Sequence, residues 1–173
     1  MLRIFLNTWG NYNENGADGG EWIELPMDEY ELEEAMIHIA ESMGDDDPEW
    51  FINDYEWTSE IKPGEIDEME NIQELNDWVK ELDGLDEYEQ EEIAAAMEAF
   101  GCDFEEAFDG QKSARYTFYR EMRLEEVAEM LVEECYFTKD TPEIFRTYFD
   151  YEAFARDLHL EGYYETSYGV IVE

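Results

Sequence analysis

The feature that most limits what this chain can fold into is its charge. Forty-nine Asp and Glu stand against ten Lys and Arg, a formal net charge of −39 on 173 residues. Any compact state must hold together against its own repulsion. High charge with low hydrophobicity is the signature of disorder, so the apolar content decides whether the chain folds. Leu, Ile, Val and Phe supply 37 residues, just above the level of about one fifth below which disorder becomes the default. Five Trp and 12 Tyr add large buriable surfaces, and Pro is only 4. The chain reads as folded, with far more charge than folding or solubility requires.

That charge excludes whole classes of partner. DNA, RNA and anionic lipid would all be repelled, because a nucleic-acid binder needs a basic footprint to displace counterions from phosphate. Residues 1–10 lack the apolar core of a signal peptide, and no apolar run approaches the length of a membrane span. The two cysteines, Cys102 and Cys135, are too few for a disulfide framework and match no metal spacing, so they read as reduced, partly buried thiols. The expected location is the cytoplasm.

Periodicity indicates an α+β fold. Alternation predicts strands over residues 3–9, 21–25 and 50–57, with a turn-like loop over 10–20. Asp28 is placed to cap a helix reaching Met43, with Leu32, Ala35, Met36, Ile39 and Ala40 on one face. Pro63-Gly64 is the best linker. Beyond it, Ile72, Leu75, Trp78, Val79 and Leu82 fall at helical spacing, followed by helices over 86–100 and 103–108. The last third predicts a strand over 116–119, a helix over 121–137 and a helix opened by Thr141 as N-cap with Pro142 at its first position. A hairpin over 162–172 turns near residues 167–169.

Charge divides the same stretch into three. Residues 1–61 hold 17 carboxylates and one base, residues 62–111 hold 18 and two, and residues 112–173 hold 14 and seven. The expected organisation is three small domains with these boundaries, an N-terminal α+β domain, an acidic helical domain and a C-terminal α+β domain.

No chemistry of catalysis or cofactor binding stands out. With so many carboxylates, paired acids arise by chance and carry no glycosidase signal. A calcium loop starting at Asn11 puts Trp22 where a bidentate Glu is required, and one starting at Asp83 puts Tyr88 at the glycine position. His38 and His159 are flanked by apolar residues and read as packed or rim histidines. No nucleophilic triad, Walker-type loop or dinucleotide glycine pattern occurs. The reading is of a non-enzyme with no metal and no cofactor.

The excess charge itself needs an account. B-DNA carries one charge per about 1.7 Å of axis, so 39 charges correspond to roughly 66 Å of duplex. Three explanations compete: a DNA mimic, an acidic binding module or chaperone for another basic DNA-handling protein, and adaptation to a salt-loving cell. Glu outnumbers Asp by 34 to 15, which weighs against the last. The acids sit on patterned helices rather than in a low-complexity tail, which weighs against a chaperone.

Three stretches of the chain then bear on the choice. The opening runs Ile4-Phe5-Leu6-Asn7 through Gly10-Asn11-Tyr12-Asn13-Glu14, then Gly20-Glu21-Trp22-Ile23-Glu24-Leu25-Pro26. The middle, residues 82–100, includes Gln90, Glu91 and Ala94 to Ala96. The end runs Tyr148-Phe149-Asp150-Tyr151-Glu152-Ala153-Phe154-Ala155-Arg156-Asp157-Leu158, followed by Gly162 and Gly169-Val170-Ile171. Together these resemble the ArdA antirestriction family, with residues 101–147 similar only loosely. The resemblance implies an elongated three-domain DNA mimic, carried on mobile genetic elements, that inhibits type I restriction–modification enzymes by occupying the DNA site of the modification core. It also implies a homodimer joined through the C-terminal domain, the least charged third. One departure is Asp86, where a Pro is expected to open the central helix; both residue types are tolerated at a helix start. The run Asp45 to Asp47 and the loop Asn13 to Asp18 stand as local elaborations.

On this reading, carboxylates along the acidic helices stand in for phosphates and meet Lys and Arg in the target's groove. The candidates are Glu68, Glu74, Asp77, Glu81, Glu87, Glu91, Glu98, Glu105, Glu106 and Asp109.

Overall fold

A computed structural model describes residues Met1–Glu173. The architecture is α+β, with eight α-helices and two three-stranded antiparallel sheets. It forms two compact units, Met1–Asp86 and Glu87–Glu173. The helices of the expected acidic middle segment divide between them.

The first unit is built on strands β1 (Leu2–Thr8), β2 (Glu21–Leu25) and β3 (Trp50–Trp57) in the order β2-β1-β3. Alternation along β1 sends Leu2, Ile4 and Leu6 into the core, where all three are fully buried. Leu32 and Ile39 of helix α2 (Glu29–Met43) cover them, as do Ile72, Leu75 and Val79 of helix α3 (Ile72–Asp83). Both helices start from short polar caps, Asp28 as expected and Asn71 in addition. Asp28 accepts from Tyr30 N, and Asn71 accepts from Gln73 N and Glu74 N.

One element of this unit escaped the sequence reading. Residues 10–20 are not wholly loop, because Trp9–Asn15 forms helix α1. Thr8 caps it by accepting from Asn11 N, and Gly16 ends it at φ +69°. The turn-forming asparagines are recruited into an i, i+4 ladder. Asn11 Nδ2 donates to Asn7 Oδ1 at 2.8 Å, and Asn15 Nδ2 donates to Asn11 Oδ1 at 3.0 Å. Trp9 stacks on Phe51 of β3 at 4.2 Å between ring centroids, with Tyr12 edge-on to both. Tertiary packing thus overrides weak local propensity.

The second unit contains helices α4 (Glu87–Phe100) and α5 (Phe104–Lys112), strand β4 (Thr117–Arg120) and helix α6 (Leu124–Leu131). Helices α7 (Glu143–Thr147) and α8 (Tyr151–Leu160) precede the hairpin β5 (Tyr164–Thr166) and β6 (Gly169–Val172). The sheet order is β4-β6-β5. Val127, Ala128, Ala155, Leu158 and Val170 form one core cluster. Gly169 sits at φ +145°, and a Cβ there would meet the Tyr119 carbonyl oxygen of the neighbouring strand.

Two boundaries in this unit differ from expectation. The helix expected over 121–137 begins at Leu124, where Glu165 Oε2 accepts from Leu124 N and Glu126 Oε2 accepts from Arg123 N, both at 2.8 Å. It widens into a π-turn over Val132–Tyr136. Pro142 is itself the N-cap of α7, while the Thr141 hydroxyl accepts from Thr138 N at 2.9 Å. Cys135 is exposed rather than partly buried; Cys102 is half-buried, and both are free thiols.

A single side chain ties α3 to the strand-to-helix connection of the first unit. Asn76, 1% exposed, accepts from Met27 N at 2.8 Å and donates to Met27 O at 3.0 Å. Asn76→Ala leaves both backbone groups unpaired, and the expected cost is about 1–3 kcal/mol. All five Trp lie within residues 1–86, so tryptophan fluorescence during denaturation reports this unit directly. An unchanged midpoint would show that water replaces the lost bonds.

Candidate protein-binding surface

The ten candidate carboxylates fall into two groups once their neighbours are known. Glu74, Asp77 and Glu81 lie on α3 at i, i+3 and i+7, opposite the buried row Leu75, Val79 and Leu82. All three are exposed, and Asp77 accepts only a long bond from Gln73 Nε2 at 3.4 Å. Their steps along the axis are about 4.5 and 6 Å, against one phosphate per 3.4 Å on each DNA strand. One helix alone is therefore too sparse to copy a phosphate row, and several acidic helices are needed. Glu68 is exposed before α3; its backbone carbonyl accepts from Ile52 N at 2.8 Å and so anchors it beside β3. On α5, Glu105 and Asp109 are exposed at i and i+4.

The other four carboxylates bind other groups of the same unit. Arg120 Nη2 donates to Glu87 Oε1 at 2.7 Å and to Glu91 Oε1 at 3.0 Å, while its Nε donates to Glu91 Oε2. This clasp fixes α4 against β4, and the Glu91 side chain is left only 13% exposed. The hydrogen bond that Arg120 donates to Glu91 raises the guanidinium above its ordinary pKa, with Glu87 adding to the effect. Glu98 accepts from Ser167 N with both carboxylate oxygens at 3.1 Å, and from Ser167 Oγ at 3.3 Å. It thereby holds the β5–β6 turn against α4. Glu106 lies 3.8 Å from Arg115 Nη1. The helical spacing of these four gave no sign of their partners, which are distant in sequence or are bare backbone groups.

A second acidic face, from which none of the ten candidates comes, lies on α2. Glu29, Glu31, Glu33, Glu34 and Glu41 of α2 are all exposed, and no base lies on that helix. The Tyr30 hydroxyl donates to Glu34 Oε1 at 2.6 Å, and that bond raises the phenol above its usual pKa. The net charge of residues 1–61, 17 carboxylates against one base, already marks this face as acidic.

Most of the arginines are used internally. Five of the six arginines form ion pairs, with Arg3 joining Glu24 and Glu56 from the two strands flanking β1. One carboxylate is truly interior. Glu92 is 8% exposed, and burial pushes its pKa up. His38 and His159 are both exposed. No group of three or more His, Cys, Asp or Glu is arranged to hold a metal ion. No helix is long and apolar enough to cross a membrane.

The family model for the antirestriction protein ArdA matches residues 4–172. The chain belongs to the ArdA antirestriction family. That membership covers the loosely similar stretch 101–147 as well as the better matching ends. A comparison with curated proteins finds no match. As an ArdA-family member the chain is an antirestriction protein, and its exposed acids are the chemistry available for meeting a basic partner.

The partition of the carboxylates has a thermal consequence. Glu91→Gln weakens the Arg120 clasp and should cost about 1–3 kcal/mol. Asp77→Asn and Glu81→Gln relieve repulsion and should leave the melting temperature unchanged or higher, while Glu74→Gln, in the first turn of α3, should cost no more than about 1 kcal/mol. Calorimetry checks this, since tryptophan does not report the second unit. Equal losses at all four positions would mean that the acids form one class.

Proposed function

We propose that this antirestriction protein acts as a DNA mimic that occupies the DNA-binding groove of the modification core of a type I restriction–modification enzyme. The observation that carries the reading is the set of exposed carboxylates on α2, α3 and α5, which outnumber the nearby bases on two folded units. Family membership supplies the antirestriction role, and the charge supplies a physical means for it. Carboxylates meet the Lys and Arg that ordinarily bind phosphate, so inhibitor and DNA compete for one surface. Long-range attraction makes encounter fast and salt-sensitive. The protein itself binds no nucleic acid, acts without catalysis, and works in the cytoplasm where incoming DNA meets the restriction enzyme.

The proposal gives distinct roles to the ten candidates. Glu68, Glu74, Asp77, Glu81, Glu105 and Asp109 present charge to the partner. Glu87, Glu91, Glu98 and Glu106 chiefly hold the second unit in shape. A homodimer is proposed to join through α7 and the adjoining π-turn. Ile144 and Phe145 of α7 and Tyr148, the residue that follows it, are 62%, 62% and 80% exposed, with Tyr136 of the π-turn at 66%. Residues 112–173 hold seven of the ten bases, so repulsion between two copies is least there. Phe145→Glu should halve the mass measured by sedimentation at micromolar concentration. A monomeric wild type, or an unchanged mass for the variant, would overturn the dimer.

The mimicry is tested by titrating the protein into a type I modification core bound to labelled target DNA. Stoichiometric release of DNA, weakening as salt rises, is the expected result. Reversal of any one exposed carboxylate should weaken displacement less than about fivefold, the scale of a single exposed ion pair. Reversing three on one helix should weaken it by about tenfold or more. Absence of displacement from several cores would redirect the search to another basic DNA-handling protein.

A further inference from the structure

Within the first unit, a groove of about 1120 Å³ runs between α2, the connection from Gly44 to Trp50, and the segment Met69–Gln73. Its composition is unusual for a surface meant only to display charge. Glu29, Glu33 and Glu41 stand along one row of α2, spaced four and eight residues apart, and Asp45 and Asp46 continue the acidic edge. Ile37 occupies the missing place in that row and is 52% exposed; Met69 faces the groove from the other side and is 61% exposed. Met36, Ala40, Trp50 and Ile72 line it as well, and no Lys, Arg or His does.

We infer that this groove docks a basic amphipathic helix of the target protein, with apolar side chains seated on Ile37 and Met69 and Lys or Arg reaching the acidic edges. The inference rests on the DNA-mimic reading for the identity of the target, and on the groove alone for the chemistry of its occupant. Charge complementarity selects a cationic occupant. Nucleic acid is repelled, and a second copy of this chain would set acid against acid. A free polycation would use the carboxylates but leave Ile37 and Met69 in water. A helix satisfies both demands, because Lys and Arg lay their aliphatic stems along apolar surface while the charged ends reach outward. The row from Glu29 to Glu41 spans about 18 Å, room for roughly three helical turns carrying apolar anchors on one face. Methionine adapts its shape to such an anchor. The groove thereby adds to DNA mimicry a contact that DNA cannot make. It lets the inhibitor separate proteins with a matching helix from proteins that are merely basic.

The test uses a synthetic helical peptide with Leu along one face and Lys on the rest, and a scrambled peptide of identical composition. Each is titrated into the isotopically labelled full chain at salt high enough to screen exposed charges. The amphipathic peptide should bind about tenfold more tightly than the scrambled one, the scale of burying one or two apolar side chains. Its resonance shifts should concentrate on α2 and residues 69–73. The double variant Ile37→Asn with Met69→Asn keeps the charge and changes only exposed positions, and it should erase the preference. Equal binding of both peptides, or shifts spread over every acidic helix, would overturn the inference. In the DNA-displacement assay, equal potency of wild type and the double variant would remove the groove from inhibition while leaving mimicry intact. Failure of both proteins to displace DNA would instead remove the mimic reading, and the peptide titration would still decide the groove.

Discussion

Electrostatic self-repulsion is the constraint on which the rest of this structure depends. A chain with 39 net negative charges folds only where apolar burial and the few available cations outweigh that repulsion. The arginines are placed accordingly. Arg3 sits on the central strand β1 and pairs with Glu56 of β3 at 3.1 Å and Glu24 of β2 at 3.5 Å, while its guanidinium lies over Trp22. Arg120 gathers two carboxylates of α4 onto β4. Arg146 joins α7 to the π-turn through Glu133 and donates to Thr138 O. In each case one cation holds together elements whose acids would otherwise separate them.

The carboxylates consequently have three occupations. Some are structural at helix starts, where the exposed backbone N–H groups and the dipole favour an anion. Asp28, Asp103 and Asp150 accept backbone bonds at the starts of α2, α5 and α8. Some are clasps, such as Glu87, Glu91 and Glu98. The remainder face solvent, and on α2, α3 and α5 they outnumber the two lysines, Lys80 and Lys112, that share those helices. The net charge thus overstates the acidic surface left open to a partner, because part of it is taken up by caps and clasps.

The same division explains why an acidic surface need not be an indiscriminate one. Attraction between charges acts at long range and rewards any basic partner. Discrimination requires short-range features, and the exposed Ile37 and Met69 amid acids provide them.

Much of this was legible in the residues themselves. Period-2 alternation located β1, β2 and β3, helical spacing with the Asp28 cap located α2, and helical spacing alone located α3, because each pattern reflects a local rule about which side chains share a face. The acidic character followed from a sum over residues, which needs no coordinates. Helix α1, the π-turn and the capping role of Pro142 did not follow. They depend on Phe51 arriving beside Trp9 and on packing among elements distant in sequence. The same limit governed the surface. Spacing alone placed Glu87, Glu91 and Glu98 on one helix, but Arg120 lies 29 residues from Glu91 and Ser167 lies 69 residues from Glu98. Whether a carboxylate faces a partner protein or its own chain is a question of which side chain lands within hydrogen-bond reach. Charge is a property of each residue and adds along the chain, whereas pairing is a property of distance, which only the tertiary structure decides.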